Sequence, residues 1–434
     1  MGFDYKSLAT NPFQMPDGWK LTSIQEVAKV NEKAITPKNA PSHIRYIDIA
    51  SVDKGKLLDI QELSFEEAPS RARRVVQDKD SLISTVRPNL EHYLFVKEPE
   101  PNTIASTGFA VVSAKSADPR FLYYYMTSKP FTAYLTQIAE SHTSAYPAFN
   151  PDVIEQAELI LPKDNEQRAI AHILGSLDDK IELNRRMNQT LEAMARAIFK
   201  HWFIDFEFPN ENGEPYKSSG GEMIDSPLGP IPKGWSTSKF SDTISVNPSR
   251  GLKKGVCAKK VRMTDIEPWR SYVGSYTEGI YKSGPKFQNG DVLLARITPS
   301  LENGKTAFVS FLKDGEVAYG STEFIVFAPR VIKSSAYIYC LVRSDSFRDY
   351  AIGSMNGSSG RQRVPNDCLD ALEIALPAHN LINEFEKIAK TLFSKIDCKG
   401  KENVLLSELR DSLLPKLMSG EIRVPVSEKE VDQF

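Results

Sequence analysis

Cysteine is scarce in this sequence of 434 residues and is missing from its first half. The four cysteines, Cys257, Cys340, Cys368 and Cys398, show no Cys-x-x-Cys spacing and have no histidine at zinc-finger spacing. We therefore expect free, reduced thiols, no metal site and a cytoplasmic protein. No run of about 18 apolar residues occurs, and the N-terminus does not resemble a secretory signal, so we expect no membrane span.

A large excess of charge is missing as well. The chain has 54 Lys and Arg against 56 Asp and Glu, a formal net charge of −2, with 41% hydrophobic and 25% charged residues. This composition is typical of a globular protein and excludes wholesale disorder. It also argues against nucleic-acid binding by bulk charge alone. Because single cores stop growing near roughly 250 to 300 residues, the length predicts at least two domains.

Catalytic motifs are the third absence. Residues 304–306 read Gly-Lys-Thr, but the earlier glycine of a phosphate-binding loop is replaced by Pro299. No nucleophile elbow or dinucleotide fingerprint is present. The Asp-x-Lys pairs at 178–180 and 397–399 fall in helical segments, where charged residues normally face solvent. We predict no catalytic residue, and thus a protein that reads or organises other molecules.

Two sequence motifs recur at one fixed spacing. Pro-x-Gly-Trp occupies 16–19 and 232–235, and Val-Asn occupies 30–31 and 246–247, each pair 216 residues apart. Further matches keep nearly the same register: 80–88 with 291–299, 106–109 with 321–324, and 159–162 with 374–377. A register held over this length predicts a tandem duplication in which each copy is about half of the chain.

Each copy begins with strand-like sequence and ends with a long helical segment. Short β-type runs separated by turn residues, such as 82–86, 109–112, 292–295 and 324–327, predict a mixed α/β domain with a twisted sheet, and 119–140 adds a helical stretch. The helical segments show apolar residues at alternating steps of three and four, a heptad seam. The predicted seam contains Leu174, Leu177, Ile181, Asn188, Leu191 and Ile198 in the first copy and Leu392, Ile396, Asn403, Leu406, Leu413 and Leu417 in the second.

The shared seam predicts how the two helices pack. Asn188 and Asn403 occupy equivalent positions, where a polar residue commonly fixes the register. Because neither helix can bury its stripe alone, we expect an α+β fold with two mixed α/β domains separated by two long antiparallel helices, related by a pseudo-twofold axis. The predicted boundaries are 1–162 for the first domain, 163–207 for its helix, 208–230 for a connector, 231–378 for the second domain, 379–421 for its helix and 422–434 for a tail.

The near-zero net charge conceals a difference between the copies. Residues 1–160 contain 17 basic and 20 acidic residues, a net −3, whereas 231–377 contain 20 and 14, a net +6. Arg and Gln suit contacts to base edges, and Ser, Thr and Lys suit phosphates, although a plain solvated role is equally open for each residue. The candidate DNA contacts are Arg71, Arg73, Arg74, Arg87, Asn89, His142, Thr143, Ser144 and Tyr146 in the first copy, and Lys286, Arg296, Thr298, Lys305, Ser358, Ser359, Arg361, Gln362 and Arg363 in the second.

Several of these motifs together resemble the specificity subunit of type I restriction-modification enzymes. They are the paired Pro-x-Gly-Trp openings, the Asp-x-Leu blocks, the connector at 212–232, the helix end at 196–203 and the closing segment at 414–422. The resemblance covers about 19–422. One departure is Lys79 before Asp80, where the family usually has glycine; the second copy keeps Gly290. We interpret this departure as a local change of turn.

The resemblance implies a division of labour. Each mixed domain is a target-recognition domain that reads one half of a split site in double-stranded DNA. The helices set the spacer and dock two modification subunits, which carry S-adenosylmethionine and methylate adenine. Restriction subunits add ATP- and Mg-dependent translocation and cleavage, so this chain is a non-catalytic subunit that binds no cofactor itself.

Two other functions compete with this expectation. A stand-alone DNA methyltransferase or nuclease is disfavoured by the missing catalytic motifs, and methyl transfer by the purified chain alone would reveal it. A coiled-coil scaffold or adaptor without DNA readout is compatible with the helices. Residues 357–363 form a polar segment that contains Arg361 and Arg363. Substitution of these two arginines by alanine separates the scaffold from a DNA reader, because only a reader loses DNA affinity.

Overall fold

The computed structural model describes residues 4–8, 15–142, 146–358 and 360–424. The chain folds into two compact units. Unit 1 contains the described residues of 1–180 and 405–434, and unit 2 contains those of 181–404. Both long helices pass from one unit to the other, so each unit combines a sheet domain with the first part of one helix and the last part of the other. The boundaries predicted for the individual domains stay a prediction.

The first copy of the repeat supplies the sheets of unit 1. Its strands are β1 Lys20–Ser23, β2 Ala28–Val30, β3 His43–Ile47, β4 Val52–Asp53, β5 Lys56–Leu57, β6 Gln61–Ser64, β7 Ala72–Val75, β8 Ser81–Ser84, β9 Tyr93–Phe95, β10 Thr103–Ser106, β11 Phe109–Ala114 and β12 Glu158–Leu161. Its helices are α1 Ile24–Val27, α2 Pro119–Met126, α3 Lys129–His142, α4 Asp152–Glu155 and the long α5 Asp164–Phe199, which ends in a π-helical turn at Lys200–Ile204.

The second copy supplies the sheets of unit 2. Its strands are β13 Met223–Ile224, β14 Ile231–Pro232, β15 Ser236–Lys239, β16 Ile244–Val246, β17 Cys257–Val261, β18 Thr277–Ile280, β19 Lys286–Phe287, β20 Val292–Ala295, β21 Thr306–Phe308, β22 Ala318–Gly320, β23 Phe324–Pro329 and β24 Glu373–Leu376. Its helices are α6 Phe240–Thr243, α7 Ser335–Val342, α8 Asp345–Gly353, α9 Cys368–Ala371 and the long α10 His379–Met418. Short 3₁₀ turns lie at Tyr5–Leu8, Pro88–Leu90 and Met263–Asp265.

The four-stranded sheets have the same topology in the two units. Unit 1 has four-stranded sheets in the orders β2-β11-β8-β9 and β6-β3-β10-β7, and unit 2 has β16-β23-β20-β21 and β18-β17-β22-β19. In each unit one strand pair of these sheets is parallel, β3 with β10 and β17 with β22, whereas β1 pairs antiparallel with β12 and β15 with β24. The structure therefore has the α+β class and the repeated domain that the sequence predicts.

Two asparagines show why equivalent residues build equivalent sheets. Asn31 and Asn247 adopt left-handed φ values of 55° and 48°, a region that asparagine tolerates better than most residues. The Asn31 N–H donates to the Val111 carbonyl at 2.7 Å, and its side-chain Oδ1 accepts the Val111 N–H at 3.0 Å. Asn247 makes the same two bonds with Val326 at the same distances. The asparagine side chain thus continues the ladder where the strand turns away.

The predicted change of turn before Asp80 is wrong. Lys79 has a φ of 67° and the equivalent Gly290 has a φ of 89°, so both occupy the same left-handed position. The carboxylates that follow also match, since Asp80 accepts the Gln77 N–H at 2.8 Å and Asp291 accepts the equivalent glutamine N–H at 2.9 Å. Lysine occupies the turn at a steric cost that glycine avoids.

The long helices pack into the cores of both units. All twelve predicted seam residues are buried or half-buried. In unit 2 the cluster of buried residues includes Phe199 of α5 and Phe385 of α10 together with strand and α7 residues. In unit 1 it includes Leu174 of α5 and Leu417 of α10. The helices are therefore integral to each core, which explains why the division into units crosses them.

The predicted helical stretch at 119–140 is two helices. α2 ends at Met126 and α3 begins at Lys129, and the Ser128 hydroxyl donates to the Tyr125 carbonyl at 2.8 Å between them. At α5, Gly175 lets Arg120 of α2 approach closely, since a Cβ there would lie 2.5 Å from a guanidinium nitrogen. The same Arg120 then reaches Asp179 with two hydrogen bonds of 2.9 and 2.6 Å.

Candidate DNA interface

Three loops come together at one end of the sheets in unit 1. They are 85–91 after β8, 106–109 between β10 and β11, and 146–149, and we call them loop cluster 1. The Arg87 N–H donates to the Pro147 carbonyl at 2.7 Å, the Phe149 N–H donates to Thr85 at 3.0 Å, and the Thr85 N–H donates to Gly108 at 2.8 Å. Arg87 and Tyr146, two of the predicted DNA contacts, therefore lie on neighbouring loops.

Unit 2 builds the same arrangement from the equivalent residues. Loop cluster 2 comprises the described residues of 296–305, 321–324 and 356–364. The Thr298 N–H donates to the Gln362 carbonyl at 3.0 Å, the Val364 N–H donates to Arg296 at 2.9 Å, and the Arg296 N–H donates to Glu323 at 2.9 Å. Backbone hydrogen bonds thus hold the polar loops of both copies in one geometry while their side chains differ.

The exposed groups of loop cluster 1 centre on Arg87. Its backbone is left-handed, with φ 47°, and its guanidinium lies 4.9 Å from the centre of the Tyr146 ring, which is 70% exposed. Asn89 and Arg71 are exposed as well, and the Arg71 carbonyl accepts the Thr107 N–H at 2.8 Å. An arginine held in an uncommon backbone conformation beside an exposed ring presents both hydrogen-bond donors and an aromatic face.

Arg73 and Arg74 of β7 are less accessible than predicted for DNA contacts. Both are half-buried. Arg73 donates to the Ala72 carbonyl at 2.7 Å and lies over the Phe65 ring at 5.2 Å. Burial lowers the pKa of the Arg74 guanidinium, and its Nε has no hydrogen-bond partner. The contacts of these two side chains are therefore mostly within unit 1, and less of each side chain is available to DNA.

Four predicted contacts of unit 2 hold loops in place. Arg296 donates to the Val364 carbonyl and, at 3.2 Å, to Asn366, while Thr298 donates to Glu302 at 3.4 Å. Lys305 donates to the Met263 carbonyl at 2.9 Å, and Lys286 donates to the Arg250 carbonyl at 3.1 Å. Burial lowers the pKa of Lys305. All four are half-buried, so their first role is to shape loop cluster 2 and the strand beside it.

In loop cluster 2, exposed side chains lie on the polar loop, the described residues of 356–364. Ser358, Arg361 and Arg363 are exposed and Gln362 is half-buried. Arg363 forms a two-pronged ion pair with Glu323, with Nε to Oε2 and Nη2 to Oε1 both at 2.8 Å. Of the other predicted contacts, Thr143, Ser144 and Ser359 and the side chain of His142 lie outside the described residues.

A buried ion pair that sequence reasoning missed anchors loop cluster 2 to α5. Arg343, at the end of α7, is 1% exposed and donates to Glu192 of α5 at 3.2 Å and to the Gly304 carbonyl at 3.2 Å. The Tyr339 hydroxyl donates to the same carboxylate at 2.7 Å, and Trp269 covers Arg343 at 4.8 Å. The one available signal was an arginine directly after the apolar run of α7.

In the middle of the helix pair, polar side chains of each helix donate hydrogen bonds to the other helix. Within unit 2 the Asn188 side chain of α5 donates to the Ile396 carbonyl of α10 at 3.2 Å, and the Asn403 side chain donates to the Ile181 carbonyl at 3.4 Å. Asn184 donates to the Asn403 side chain at 2.9 Å. Rising numbers on one helix match falling numbers on the other, so the segments run antiparallel here. The two seam asparagines bind equivalent isoleucine carbonyls, which defines one register.

In unit 1, an ion pair joins α5 to α10. The Arg410 guanidinium of α10 donates to Asp178 of α5 at 2.7 Å, and Tyr124 of α2 donates to the same carboxylate at 2.6 Å. Asp397, the other Asp-x-Lys aspartate, accepts the Ser310 hydroxyl in unit 2 at 2.7 Å. Both aspartates thus serve packing. In the part of the chain that the structure describes, no three His, Cys, Asp or Glu side chains group as metal ligands.

One cavity lies away from both loop clusters. It has a volume of about 790 Å³ and lies in unit 1 beside β7 and β10. Its lining includes Asp78, Glu98 and Glu100 and no lysine or arginine, so it does not suit a phosphate backbone. Among the described helices, none has the length and apolar character needed to cross a membrane.

The comparisons with known proteins agree with this geometry. The family profile described as the type I restriction modification DNA specificity domain matches residues 16–193. A specificity subunit named type I restriction enzyme HindI, from Haemophilus influenzae, is 25% identical over 93% of this chain and 99% of its own length. The MjaIX specificity subunit of Methanocaldococcus jannaschii is 27% identical over 90% of this chain and 86% of its own. The chain is thus similar to type I restriction-modification specificity subunits over most of its length.

One solved structure is similar to this chain over nearly its whole length. The S subunit of a type I restriction-modification system from M. genitalium is 13% identical, with a TM-score of 0.51, and the match covers 96% of this chain and 98% of that one. The likeness concerns the fold. The two loop clusters are the candidate DNA-reading surfaces of this chain.

Proposed function

We propose that each unit reads one half of a split DNA site through its loop cluster. The observation that carries this proposal is the repeated geometry: both units build the same three-loop arrangement from equivalent residues. Each arrangement presents an exposed arginine, Arg87 in loop cluster 1 and Arg361 in loop cluster 2. Arginine suits guanine edges and phosphates, and side chains that differ on one backbone geometry suit two different half-sites.

The two long helices set the spacer and dock the partners. Exposed apolar side chains lie on these helices in each unit, among them Leu183, Met187 and Met194 of α5 in unit 2 and Leu405 and Leu409 of α10 in unit 1. Exposed apolar side chains at helical spacing suit a protein interface. We assign the two stripes to two modification subunits, which supply S-adenosylmethionine and adenine methylation, and restriction subunits add ATP and Mg. The chain itself binds no cofactor and acts in the cytoplasm, where the DNA lies.

Lengthening both helices tests the proposed spacer function. One helical turn of four residues is inserted between Lys180 and Ile181 and another between Val404 and Leu405. The insertion adds about 6 Å to each helix, the rise of about two base pairs. We expect methylated-adenine mapping to show unchanged half-sites separated by a spacer that is about one or two base pairs longer.

A matched control uses the connector at 208–230, which lies outside both helices. Four residues inserted there should leave the spacer as it is. An unchanged spacer after insertion into both helices, with methylation retained, contradicts the proposal that the helices set the spacer.

Two further measurements separate this function from its alternatives. Purified chain with S-adenosylmethionine and DNA should transfer no methyl group until modification subunits are added; transfer by the chain alone would favour a stand-alone methyltransferase. Arg361→Ala should weaken DNA binding by the assembled complex and reduce the slope of log affinity against log salt by about 1. An unaltered affinity and slope would favour a scaffold that never contacts DNA.

A further inference from the structure

Glu323 fixes the position of Arg363 on loop cluster 2. The carboxylate receives both Nε and Nη2 of Arg363 at 2.8 Å. Glu323 itself is held by its backbone, because its carbonyl accepts the Arg296 N–H at 2.9 Å and its N–H donates to the Ser321 hydroxyl at 3.3 Å. A fixed carboxylate that grips one edge of a planar guanidinium leaves that side chain little rotational freedom.

An acidic side chain on this surface needs an explanation. A carboxylate beside DNA repels the phosphates, so it weakens binding unless it is neutralised or contacts a base. The hydrogen bonds and charge of Arg363 lower the pKa of Glu323, which therefore stays ionised and paired at neutral pH. The two side chains remain 24% and 45% exposed, so the pair lies on the surface and is accessible to a ligand.

The ion pair leaves the outer edge of the guanidinium available. Arg363 uses Nε and one proton of Nη2 for Glu323, and its Nη1 makes one long contact of 3.4 Å with the Arg361 carbonyl. The outer edge therefore retains one proton on each terminal nitrogen. Two parallel N–H donors match the O6 and N7 acceptors that guanine presents in the major groove.

Loop cluster 1 cannot form the same ion pair. The residues equivalent to Glu323 and Arg363 are Gly108 and Ala148. A Cβ at Gly108 would lie 2.5 Å from the Ile49 Cδ1 atom, so a side chain does not fit there without rearrangement. The ion pair thus distinguishes the two clusters at equivalent positions, which is where the two half-sites must be told apart.

We infer that Glu323 positions Arg363 to read a guanine in the half-site that unit 2 contacts. The inference rests on the proposed function, since it names one base that the DNA-reading surface recognises. Arg363 is the residue that contacts the base and Glu323 is a positioning residue. The half-site of unit 2 therefore contains a guanine whose recognition depends on this pair, whereas the other half-site is independent of it.

Methylated-adenine mapping in cells that contain the modification subunits tests the inference. We compare the natural chain with Arg363→Lys, which keeps the charge but loses the two-pronged fork, and with Glu323→Gln, which removes the carboxylate charge. We expect Arg363→Lys to reduce the preference for guanine at one position by about 10-fold to 100-fold. Glu323→Gln should relax the same position less, and the other half-site should stay unchanged in both.

Arg361→Ala provides the matched control, since it removes a neighbouring exposed arginine of the same loop. It should weaken DNA binding and leave the guanine preference that depends on Arg363 unchanged. If a variant methylates too little to map, duplexes selected from a random pool by the purified complex report the same base preference. An unaltered motif for Arg363→Lys overturns this inference while the proposed function stands. Absence of any split motif with the natural chain overturns the proposed function.

Discussion

The tryptophans of the two Pro-x-Gly-Trp motifs occupy equivalent positions, but different side chains cover their rings. In unit 1 the Arg423 guanidinium lies 5.8 Å from the Trp19 ring centre and pairs with Glu166, which also accepts the Trp19 Nε1–H at 2.9 Å. In unit 2 the Phe208 ring stacks on Trp235 at 5.6 Å with 19° between the planes. The covering residues lie 215 positions apart in the sequence and thus occupy the same position of the repeat.

The comparison shows that the two copies keep the same packing positions but use different interactions at these positions. The buried pair of Glu192 and Arg343 shows the same divergence, because the equivalent residues of unit 1 are Ser407 and Thr127. The backbone geometry of the loop clusters is shared, whereas the Glu323–Arg363 pair belongs to one of them. A protein that reads two half-sites, as proposed, benefits from such a division, since a common backbone can carry two different reading surfaces.

The largest expected effect concerns the buried ion pair. Glu192→Ala leaves the Arg343 guanidinium, 1% exposed, without its carboxylate and removes the acceptor of the Tyr339 hydroxyl. We expect unit 2 to lose about 3 to 5 kcal/mol of unfolding free energy. Urea unfolding followed by hydrogen exchange and mass spectrometry reports each unit separately.

Ser407→Ala, at the equivalent position of unit 1, is the control and should change the free energy of unfolding by less than about 0.5 kcal/mol. Equal effects of the two substitutions would show that the ion pair does not distinguish the units.

The second prediction compares the two tryptophan covers. Phe208→Ala should cost unit 2 about 2 kcal/mol, because it removes apolar burial and a ring stack. Arg423→Ala should cost unit 1 only about 1 kcal/mol, since its side chain is 46% exposed and its pairing is screened by water.

The salt dependence of the unfolding free energy distinguishes the charged contact of Arg423 from the apolar stack of Phe208. The loss for Arg423→Ala should shrink in about 1 M salt, where charges are screened within about 3 Å, and the loss for Phe208→Ala should not. Denaturant midpoints of both variants at low and high salt measure this difference. The same salt response for both would contradict the assignment of different interactions.

The turns before Asp80 and Asp291 give a smaller effect. Gly290→Lys places a side chain at a φ of 89° and should cost unit 2 about 1 kcal/mol. Lys79→Gly should leave unit 1 within about 0.5 kcal/mol, because relief of the left-handed strain is offset by the greater freedom of glycine in the unfolded chain. Thermal and urea unfolding of both variants test the expectation, and a large loss for Lys79→Gly would show that the lysine side chain stabilises the turn.

The smallest difference is expected between the two seam asparagines. Asn188→Ala removes one hydrogen bond across the helix pair, and Asn403→Ala removes one equivalent bond together with the bond from Asn184. The second substitution should therefore cost about 0.5 to 1 kcal/mol more than the first. In the background of Asn184→Ala the two losses should become equal, and a persistent difference would contradict the reciprocal arrangement.

The sequence predicts the repeat, the helices and the neighbourhood of the loops because these depend on periodic patterns. Strand runs such as 82–86 and 292–295 correspond to β8 and β20, and the long segment from Asp164 corresponds to α5. The strand-end and polar loops recur at fixed offsets and lie together in both units. Periodicity and internal repetition report on which backbone segments are buried and equivalent, which is the information that a fold requires.

Single interactions between distant residues are not encoded in such patterns. Glu323 and Arg363 are 40 residues apart, and Glu192 and Arg343 are 151 apart, so no local signal pairs them. The left-handed turn at Lys79 also went unrecognised, because a non-glycine residue accepts that conformation only when its surroundings enforce it. These features depend on tertiary packing, which one sequence does not specify residue by residue.

The central claim is that each unit reads one half of a split DNA site. Genome-wide mapping of methylated adenine tests it most directly, in cells that contain the modification subunits with the natural chain, without the chain, and with Arg87→Ala. We predict a split motif that appears only with the chain, and Arg87→Ala should weaken or alter one half of it and leave the other half unchanged. An unsplit motif, or the same motif in cells that lack the chain, would contradict the claim.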